Sequence, residues 1–175
     1  MRVVADANVF VSAAFGRSPG SPLVRIVNAV LDGRIELVMS PSLLAEVADV
    51  LSRPRIRKRL SAEDAQLFLA DVAAQAVMLA DRLDPPSVCR DPDDDYLVAL
   101  AVMAGAEVLV SGDEDLLAVE PARAGVEVLT PRELVDRPAE PLAPAYPSTA
   151  SRFRRRGGGN RPRVDPPRAS RSPAA

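Results

Sequence analysis

The sequence predicts an α/β protein with a three-layer α/β/α arrangement around a central parallel sheet of four to five strands. Short apolar runs alternate with amphipathic stretches through residues 1–137, and the strand-like runs are followed by helix signals. A chain of 175 residues has room for one such domain. Because 47% of the residues are apolar and only 3% are aromatic, the core is expected to be sizeable and aliphatic.

Four short apolar runs are predicted to be buried strands: Val3–Ala5, Ile35–Met39, Val108–Val110 and Val126–Leu129. Strands that alternate with helices pair in parallel, and a parallel sheet is covered on both faces. Ligands of such sheets bind beyond the carboxyl ends of the strands. The residues directly after each strand are therefore the first candidates for function.

Apolar residues at helical spacing predict four helices: Leu23–Leu31, Leu43–Leu51, Leu67–Leu79 and Leu97–Ala104. Three helix starts are marked by a capping residue before a proline: Ser40-Pro41, Asp91-Pro92 and Thr130-Pro131. The last of these continues to Glu133 with the spacing of a capping box. These signals set the order of strands and helices along the chain.

Residues 138–175 differ in composition from the rest of the chain. They hold eight of the 17 prolines, eight arginines and few large apolar side chains, and they carry a net charge of +6. Such a segment buries too little apolar surface to offset its ordering entropy, so it is predicted to be a disordered basic tail. Residues 1–137, with a net charge of −8, form the predicted folded domain.

The residue types that are missing exclude several kinds of site. Without histidine the chain cannot form a Ser–His–Asp triad or a His/Cys zinc site, and its single cysteine, Cys89, excludes an internal disulfide. No apolar run reaches the roughly 20 residues of a membrane span, and the N-terminus lacks the layout of a signal peptide. These features predict a protein of the reducing cytoplasm without membrane association.

Acidic side chains follow the predicted strands. Asp6 comes directly after the first strand, Glu46 lies on the helix after the second, and Asp113 follows the strand Val108–Val110. Each has an ordinary structural explanation. Asp6 is suited to a turn or cap, Glu46 to the solvent edge of an apolar stripe, and Asp113 to a polar turn.

A fourth acidic group, Asp91–Asp95, opens the helix Leu97–Ala104. The helix dipole stabilises acids in a first turn by about 0.3–1 kcal/mol each, but four carboxylates within five positions also repel one another. Asp91 is predicted to be the N-cap. Helical spacing places Asp93 and Asp94 on or beside the buried face and turns Asp95 away from it.

The joint placement of these acidic groups favours a metal site. Gathering four carboxylates is costly unless a cation neutralises them. Hard oxygen ligands without histidine or cysteine are typical of Mg²⁺ or Mn²⁺. Sites of this kind typically perform phosphoryl chemistry, in which metal ions activate a water molecule and stabilise the charge on the phosphate.

Four segments together resemble the PIN domain, and within it the VapC-like toxins of prokaryotic toxin–antitoxin systems. In family order they are Val3–Ser12, Ser40–Val47, Arg90–Asp95 and Val110–Leu117. The resemblance covers about residues 1–137. It implies a PIN-like fold and a metal-dependent ribonuclease that uses Mg²⁺ or Mn²⁺.

The resemblance also assigns roles to residues. The four acids in the family's catalytic positions are Asp6, Glu46, Asp94 and Asp113. The three that the family uses for the metal are Asp6, Asp94 and Asp113. The polar residues that support the site are Asn8, Ser12, Ser111, Asp95 and Asp115. Many members have Thr at the position of Ala7 and Asn at that of Asp95, but neither departure removes a core acid.

An acidic pocket repels RNA, so cationic contacts are expected elsewhere on the surface. A basic cluster follows the helix of Glu46, namely Arg53, Arg55, Arg57, Lys58 and Arg59. A solvated surface run explains this cluster equally well. The tail arginines are a second candidate for binding RNA, or they only solubilise the protein.

The resemblance implies two protein partners, a small antitoxin whose peptide segment occupies the active-site groove and a second copy in a homodimer. A housekeeping PIN nuclease and a non-catalytic PIN scaffold are the alternatives, although the filled acidic positions argue against the scaffold. A haloacid-dehalogenase-like phosphatase needs a second aspartate where Asn8 stands. It also needs a suitably placed lysine, and the only lysine is Lys58.

Overall fold

A computed structural model describes residues 1–15 and 20–137 of the chain. Five parallel strands form one sheet in the order β3-β2-β1-β4-β5. Their bounds are β1 Arg2–Ala5, β2 Glu36–Met39, β3 Val77–Met78, β4 Val108–Val110 and β5 Glu127–Leu129. The predicted α/β class and parallel sheet are confirmed. The predicted disorder of residues 138–175 lies outside the described residues.

Helices connect the strands. The longer ones are α1 Ala7–Ala14, α2 Pro22–Leu31, α3 Pro41–Ser52, α5 Ala62–Gln75 and α6 Asp95–Ala104. The short ones are α4 Pro54–Arg57, α7 Glu114–Leu117, α8 Pro121–Ala124 and α9 Pro131–Asp136, together with a 3₁₀ turn at Pro92–Asp94. Within the described ranges, each helix falls short of the length and apolar character that a bilayer crossing requires.

The predicted helix starts are confirmed in detail. Ser40 caps α3 by accepting a hydrogen bond from the Leu43 amide, and Thr130 forms a full capping box with Glu133 at the start of α9. The Asp91 carboxylate also acts as a cap, but for the 3₁₀ turn rather than for α6. The α-helix therefore begins at Asp95, four positions after the predicted cap.

The core is aliphatic and lies on both faces of the sheet. All three residues of β4 are fully buried, as are Val3 and Val4 of β1. Because successive side chains of a strand point to opposite faces, helices must cover both faces of these central strands. On one face of the sheet, α6 packs against β1, β2 and β4.

Two predictions are wrong. The helix predicted over Leu67–Leu79 ends at Gln75, because the backbone becomes extended at Ala76 and Val77–Met78 then pair with β2 as an edge strand. Asp95, predicted to turn away from the buried face, is only 4% exposed. The helix α6 is buried on more than one side, since every residue of 97–101 is buried, and the Val88–Cys89 loop donates two hydrogen bonds to Asp95 and covers it.

The strand order creates a crevice beside β1. From β1 the chain moves to β2 and β3 on one side, then crosses back to place β4 and β5 on the other side. The carboxyl ends of β1 and β4 therefore flank the point where the strand order reverses. Open α/β sheets bind their ligands at this position.

Candidate active site

Asp6 lies at the carboxyl end of β1 and serves as the N-cap of α1. Its Oδ1 accepts a hydrogen bond from the Asn8 amide at 3.1 Å, and its Oδ2 accepts one from the Ser111 hydroxyl at 2.7 Å. The Asp6 amide donates to the Val110 carbonyl at 2.9 Å, which joins it to the end of β4. Asp6 is 4% exposed, so these bonds fix its carboxylate at the crevice.

Ser111 connects Asp6 to Asp113. The Ser111 side chain is fully buried, and its hydroxyl oxygen accepts a hydrogen bond from the Asp113 amide at 2.9 Å. Asp113 is exposed and caps α7, because its Oδ1 accepts from the Asp115 amide at 2.8 Å. The carboxyl ends of β1 and β4 thus bring two of the predicted acids into one hydrogen-bond network.

Asp94 faces the other predicted acids from the start of α6. Its carboxyl group is half-buried, and this burial raises its pKa to about 6 together with the charges of Asp113, Asp6, Asp91 and Glu46. We refer to Asp6, Glu46, Asp94 and Asp113 as the acid cluster. Asp93, by contrast, is exposed. The structure therefore places the four predicted catalytic acids within one another's electrostatic influence.

Tyr96 contacts the acid cluster and was not identified from the sequence. Its hydroxyl donates a hydrogen bond to Glu46 Oε2, which joins α6 to α3. Burial, this bond and the charges of Glu46, Asp6 and Asp94 raise the pKa of Tyr96 far above its ordinary value. The sequence did contain a signal for this role, because Tyr96 stands two positions after Asp94 and is one of two tyrosines in the chain.

Asp95 supports the loop that leads to the acid cluster. Its Oδ1 accepts hydrogen bonds from the Val88 amide at 2.9 Å and the Cys89 amide at 2.7 Å. Burial opposes ionisation, but the two backbone donors outweigh it and lower the pKa of Asp95. Burial and the neighbouring carboxylates raise the pKa of the Cys89 thiol to about 12, so this thiol stays protonated at neutral pH.

The other supporting residues occupy different surroundings. Asp115 pairs with the exposed Arg90, with 3.2 Å between Nη1 and Oδ1. Asn8 holds Asp6 through its backbone amide, while its side chain is exposed. Among the described residues, no hydrogen bond joins the Ser12 hydroxyl to Asp6. The Asn8 and Ser12 side chains instead line a pocket that reaches Asp113.

Comparison with known proteins identifies the family. The family model for the PIN domain matches residues 2–115, more than half of the chain. The chain belongs to the PIN-domain family. PIN domains are generally nucleases, so membership supports the hydrolysis of nucleic acids as the class of activity.

Three relatives of this PIN domain each match about three quarters of the chain. An uncharacterized protein of Methanocaldococcus jannaschii, MJ1680, is 27% identical over 143 residues, which span 78% of this chain and 90% of the relative. VapBC2 from Rickettsia felis, solved with a DNA fragment from its promoter, matches with a TM-score of 0.51 and 13% identity, over 74% of this chain and 98% of that chain. PAE2754 from Pyrobaculum aerophilum matches with a TM-score of 0.53 and 17% identity, over 78% of this chain and 88% of that chain. The two structures show that the fold is shared.

The donor set of this PIN domain suits a hard divalent cation. The acid cluster offers carboxylate oxygens, and a cation bound beside Asp94 would offset both the burial and the neighbouring negative charges that raise the pKa of Asp94. Within residues 1–15 and 20–137, no three acidic or cysteine side chains are already arranged around a common ion position. Asp6, Glu46 and Asp113 each accept protein hydrogen bonds, and the remaining lone pairs of their carboxylate oxygens are available to an ion.

The predicted RNA-binding cluster lies beside the far end of α1. Four of its members lie within or border α4, and Arg59 follows them in the sequence. The guanidinium carbon of Arg59 lies 5.2 Å from the centroid of the Phe15 ring. Of this cluster, only Arg53 takes part in an ion pair with another described residue, Asp49. Because Asp6 and Phe15 flank α1 and a helix rises about 1.5 Å per residue, Phe15, which Arg59 contacts, lies about 13 Å from Asp6 along the helix axis.

Proposed function

We propose that this PIN domain is a Mg²⁺- or Mn²⁺-dependent endoribonuclease that hydrolyses RNA phosphodiester bonds, and that it is the toxin of a type II toxin–antitoxin pair. The observation that carries the proposal is the acid cluster at the reversal point of the sheet. Burial of Asp94, together with the charges of Asp113, Asp6, Asp91 and Glu46, raises the pKa of Asp94 to about 6. Repulsion between neighbouring carboxylates is typical of sites that bind a cation and act on phosphate groups.

Each acid has a role that its contacts support. Asp6, Asp94 and Asp113 would hold the ion, which supplies activation of water and stabilisation of charge on the phosphate when bound. The Ser111 hydroxyl and the Asn8 amide keep the Asp6 carboxylate oriented. Glu46 has one oxygen bound to Tyr96, which leaves the other oxygen to orient a water molecule for in-line attack on phosphorus.

Contacts with the RNA backbone belong elsewhere, because the acid cluster repels phosphate. The basic cluster Arg53–Arg59 supplies the nearest concentration of positive charge along α1. Its exposed Arg55 and Lys58 are free of ion pairs with described residues, and they would contact phosphates of the strand beyond the cleavage site. Binding through this cluster should weaken as the salt concentration rises.

The toxin assignment draws on the shared fold with VapBC2. An antitoxin peptide that inserts a basic side chain into the acid cluster would neutralise the charges that the substrate complex uses. A homodimer would cover apolar side chains that α5 and the edge strand β3 leave exposed, namely Leu67, Val77 and Met78. Both partners are part of the proposal.

The test is cleavage of RNA by purified protein with Mg²⁺ or Mn²⁺, with and without a chelator. We expect metal-dependent cleavage by the wild type and at least a hundredfold loss in Asp6→Asn and Asp94→Asn, because each removes a charged ligand. Asp71→Asn, an exposed acid of α5, is the matched control and should retain activity. Circular dichroism confirms folding of each variant.

Two results would reject the proposal. One is full activity in folded Asp6→Asn and Asp94→Asn protein, and the other is cleavage that persists in the chelator. Single-stranded DNA of the same sequence tests RNA specificity in the same assay. Loss of toxicity on co-expression of a small neighbouring gene would separate a toxin from a housekeeping nuclease.

A further inference from the structure

A pocket of about 310 Å³ opens next to the acid cluster. Its polar side is formed by Asn8 and Ser12, which are four residues apart on α1 and so share one face of that helix. Val9, Leu23 and Pro131 form its apolar side, and Asp113 lies at its border with the acid cluster. The pocket therefore extends the candidate active site toward α2 and α9.

The polar side of the pocket has unused hydrogen-bonding capacity. The Asn8 and Ser12 side chains are exposed, and neither forms a side-chain hydrogen bond with another described residue. An amide offers both donors and an acceptor, and a hydroxyl offers one donor and two acceptor positions. Such a pair can bind the donor and acceptor pattern on the edge of a nucleobase.

The size and charge of the pocket select its occupant. About 310 Å³ is at the small end of the range for sites that enclose small molecules, and it suits one base with part of its ribose. Asp113 adds negative charge at the border of the pocket. A phosphate is therefore disfavoured, whereas an uncharged planar base can lie against Val9, Leu23 and Pro131.

We propose that this pocket is a nucleobase subsite, which binds the base of the nucleotide that flanks the scissile phosphate. The inference rests on the proposed ribonuclease function and adds a source of sequence preference to it. Asp113 belongs to both the pocket and the acid cluster, so a base held here lies next to a phosphate held there. The substrate must be single-stranded, because base edges in a duplex are already paired.

The first experiment measures binding without cleavage. ¹⁵N-labelled protein is titrated with adenosine, guanosine, cytidine and uridine, and with ribose 5-phosphate as the probe that lacks a base. We expect at least one nucleoside, but not ribose 5-phosphate, to shift the Asn8 side-chain amide and the backbone amide of Gly112, which also lines the pocket. Asn8→Ala should weaken this binding roughly two- to tenfold, as expected for one lost hydrogen bond.

The second experiment maps the ends of fragments cut from a random-sequence RNA pool. The wild type should prefer one or two bases beside the cut, and Asn8→Ala and Ser12→Ala should reduce this preference. Asn28→Ala, an exposed asparagine of α2 outside the pocket, is the matched control and should keep the preference.

The two experiments separate the two proposals. Nucleoside binding by a wild type that cuts no RNA would support the subsite and reject the ribonuclease. Cleavage without any base-dependent shift, or with a base preference that Asn8→Ala and Ser12→Ala leave intact, would overturn the subsite. Equal shifts with ribose 5-phosphate and nucleosides would overturn it too.

Discussion

At the residue scale, the Tyr96–Glu46 hydrogen bond links the two helices that bring acids to the site. Because the pKa of Tyr96 is raised far above its ordinary value, its hydroxyl stays protonated and acts as a donor throughout the neutral range. Glu46 is half-exposed on α3, and this bond restricts its side chain. Tyr96 is therefore a positioning residue for Glu46.

Replacing Tyr96 with Phe should lower kcat about tenfold or more, with little change in KM. The ring still fills its space, while the loss of a hydrogen bond to a carboxylate, worth about 1.5–3 kcal/mol, frees Glu46 to rotate. Steady-state cleavage assays measure both constants, and the melting temperature reports the fold. An unchanged kcat in a folded variant would contradict the positioning role.

Asp94 should destabilise the metal-free protein at neutral pH. Its folded-state pKa of about 6 lies above its ordinary value of 3.8, so the native state holds a proton that the unfolded chain releases between these pH values. The free energy of unfolding, measured with a chelator present, should therefore rise as the pH falls from 7 toward 5. Asp94→Asn should raise the melting temperature at pH 7 by a few degrees while abolishing activity. A lower melting temperature would contradict this prediction.

At the element scale, sequence signals located best those helices that begin with a cap. Ser40 and Thr130 cap α3 and α9 as predicted, since a capping side chain before proline has one favourable geometry. The helix α1 was missed because it begins two residues after β1 ends, and its Val9, Phe10 and Val11 continue the apolar, strand-like character of that run. The two-residue strand β3 pairs through its backbone, which leaves no pattern in the sequence.

Removing the cap of α9 should destabilise the protein in a pH-dependent way. Thr130→Ala should cost about 1 kcal/mol at pH 7, as cap removal generally does. The Thr130 amide and hydroxyl lower the pKa of Glu133, so its contribution is complete above its ordinary pKa and is lost as the pH falls through the lowered value. Urea unfolding should show a smaller difference in the free energy of unfolding between wild type and variant at pH 3 than at pH 7. An equal difference at both pH values would exclude a contribution from the hydrogen bond between the Thr130 hydroxyl and Glu133.

At the scale of the whole molecule, the central strands hold the site in place. Leu109 of β4 is fully buried, and the neighbouring Val110 and Ser111 connect this strand to Asp6. Substitution in this strand should therefore affect both the stability of the fold and the geometry of the crevice. The aliphatic core predicted from composition is confirmed by the buried valines and leucines of β1, β2 and β4.

Leu109→Ala should lower the free energy of unfolding by about 2–5 kcal/mol, because it leaves a cavity between close-packed neighbours. Leu83→Ala is the matched control, since Leu83 is fully exposed and its truncation should change stability by less than about 0.5 kcal/mol. Denaturant unfolding of both variants provides the comparison. Similar losses in the two variants would show that burial does not determine the cost.

The sequence predicted which acids approach one another but not how they are held. Asp6 and Asp113 follow strands, and parallel strands bring such positions to one edge of the sheet. The Ser111 bridge between them is a contact across the fold, and Tyr96 reaches Glu46 from a different helix. Such contacts depend on helix phase and crossing angles, which a single sequence does not determine. The inward position of Asp95 likewise depends on contacts between separate parts of the fold.

The distance in sequence between Asp6 and Ser111 has a consequence for synthesis of the protein on the ribosome. Their side chains are joined across 105 positions, and β1 finds its partner β4 only when Val108–Val110 has been made. The first acid is therefore translated early, while the groups that orient it emerge near the end of the domain. A growing chain therefore lacks the hydrogen-bond network that orients Asp6 until most of residues 1–137 have been translated.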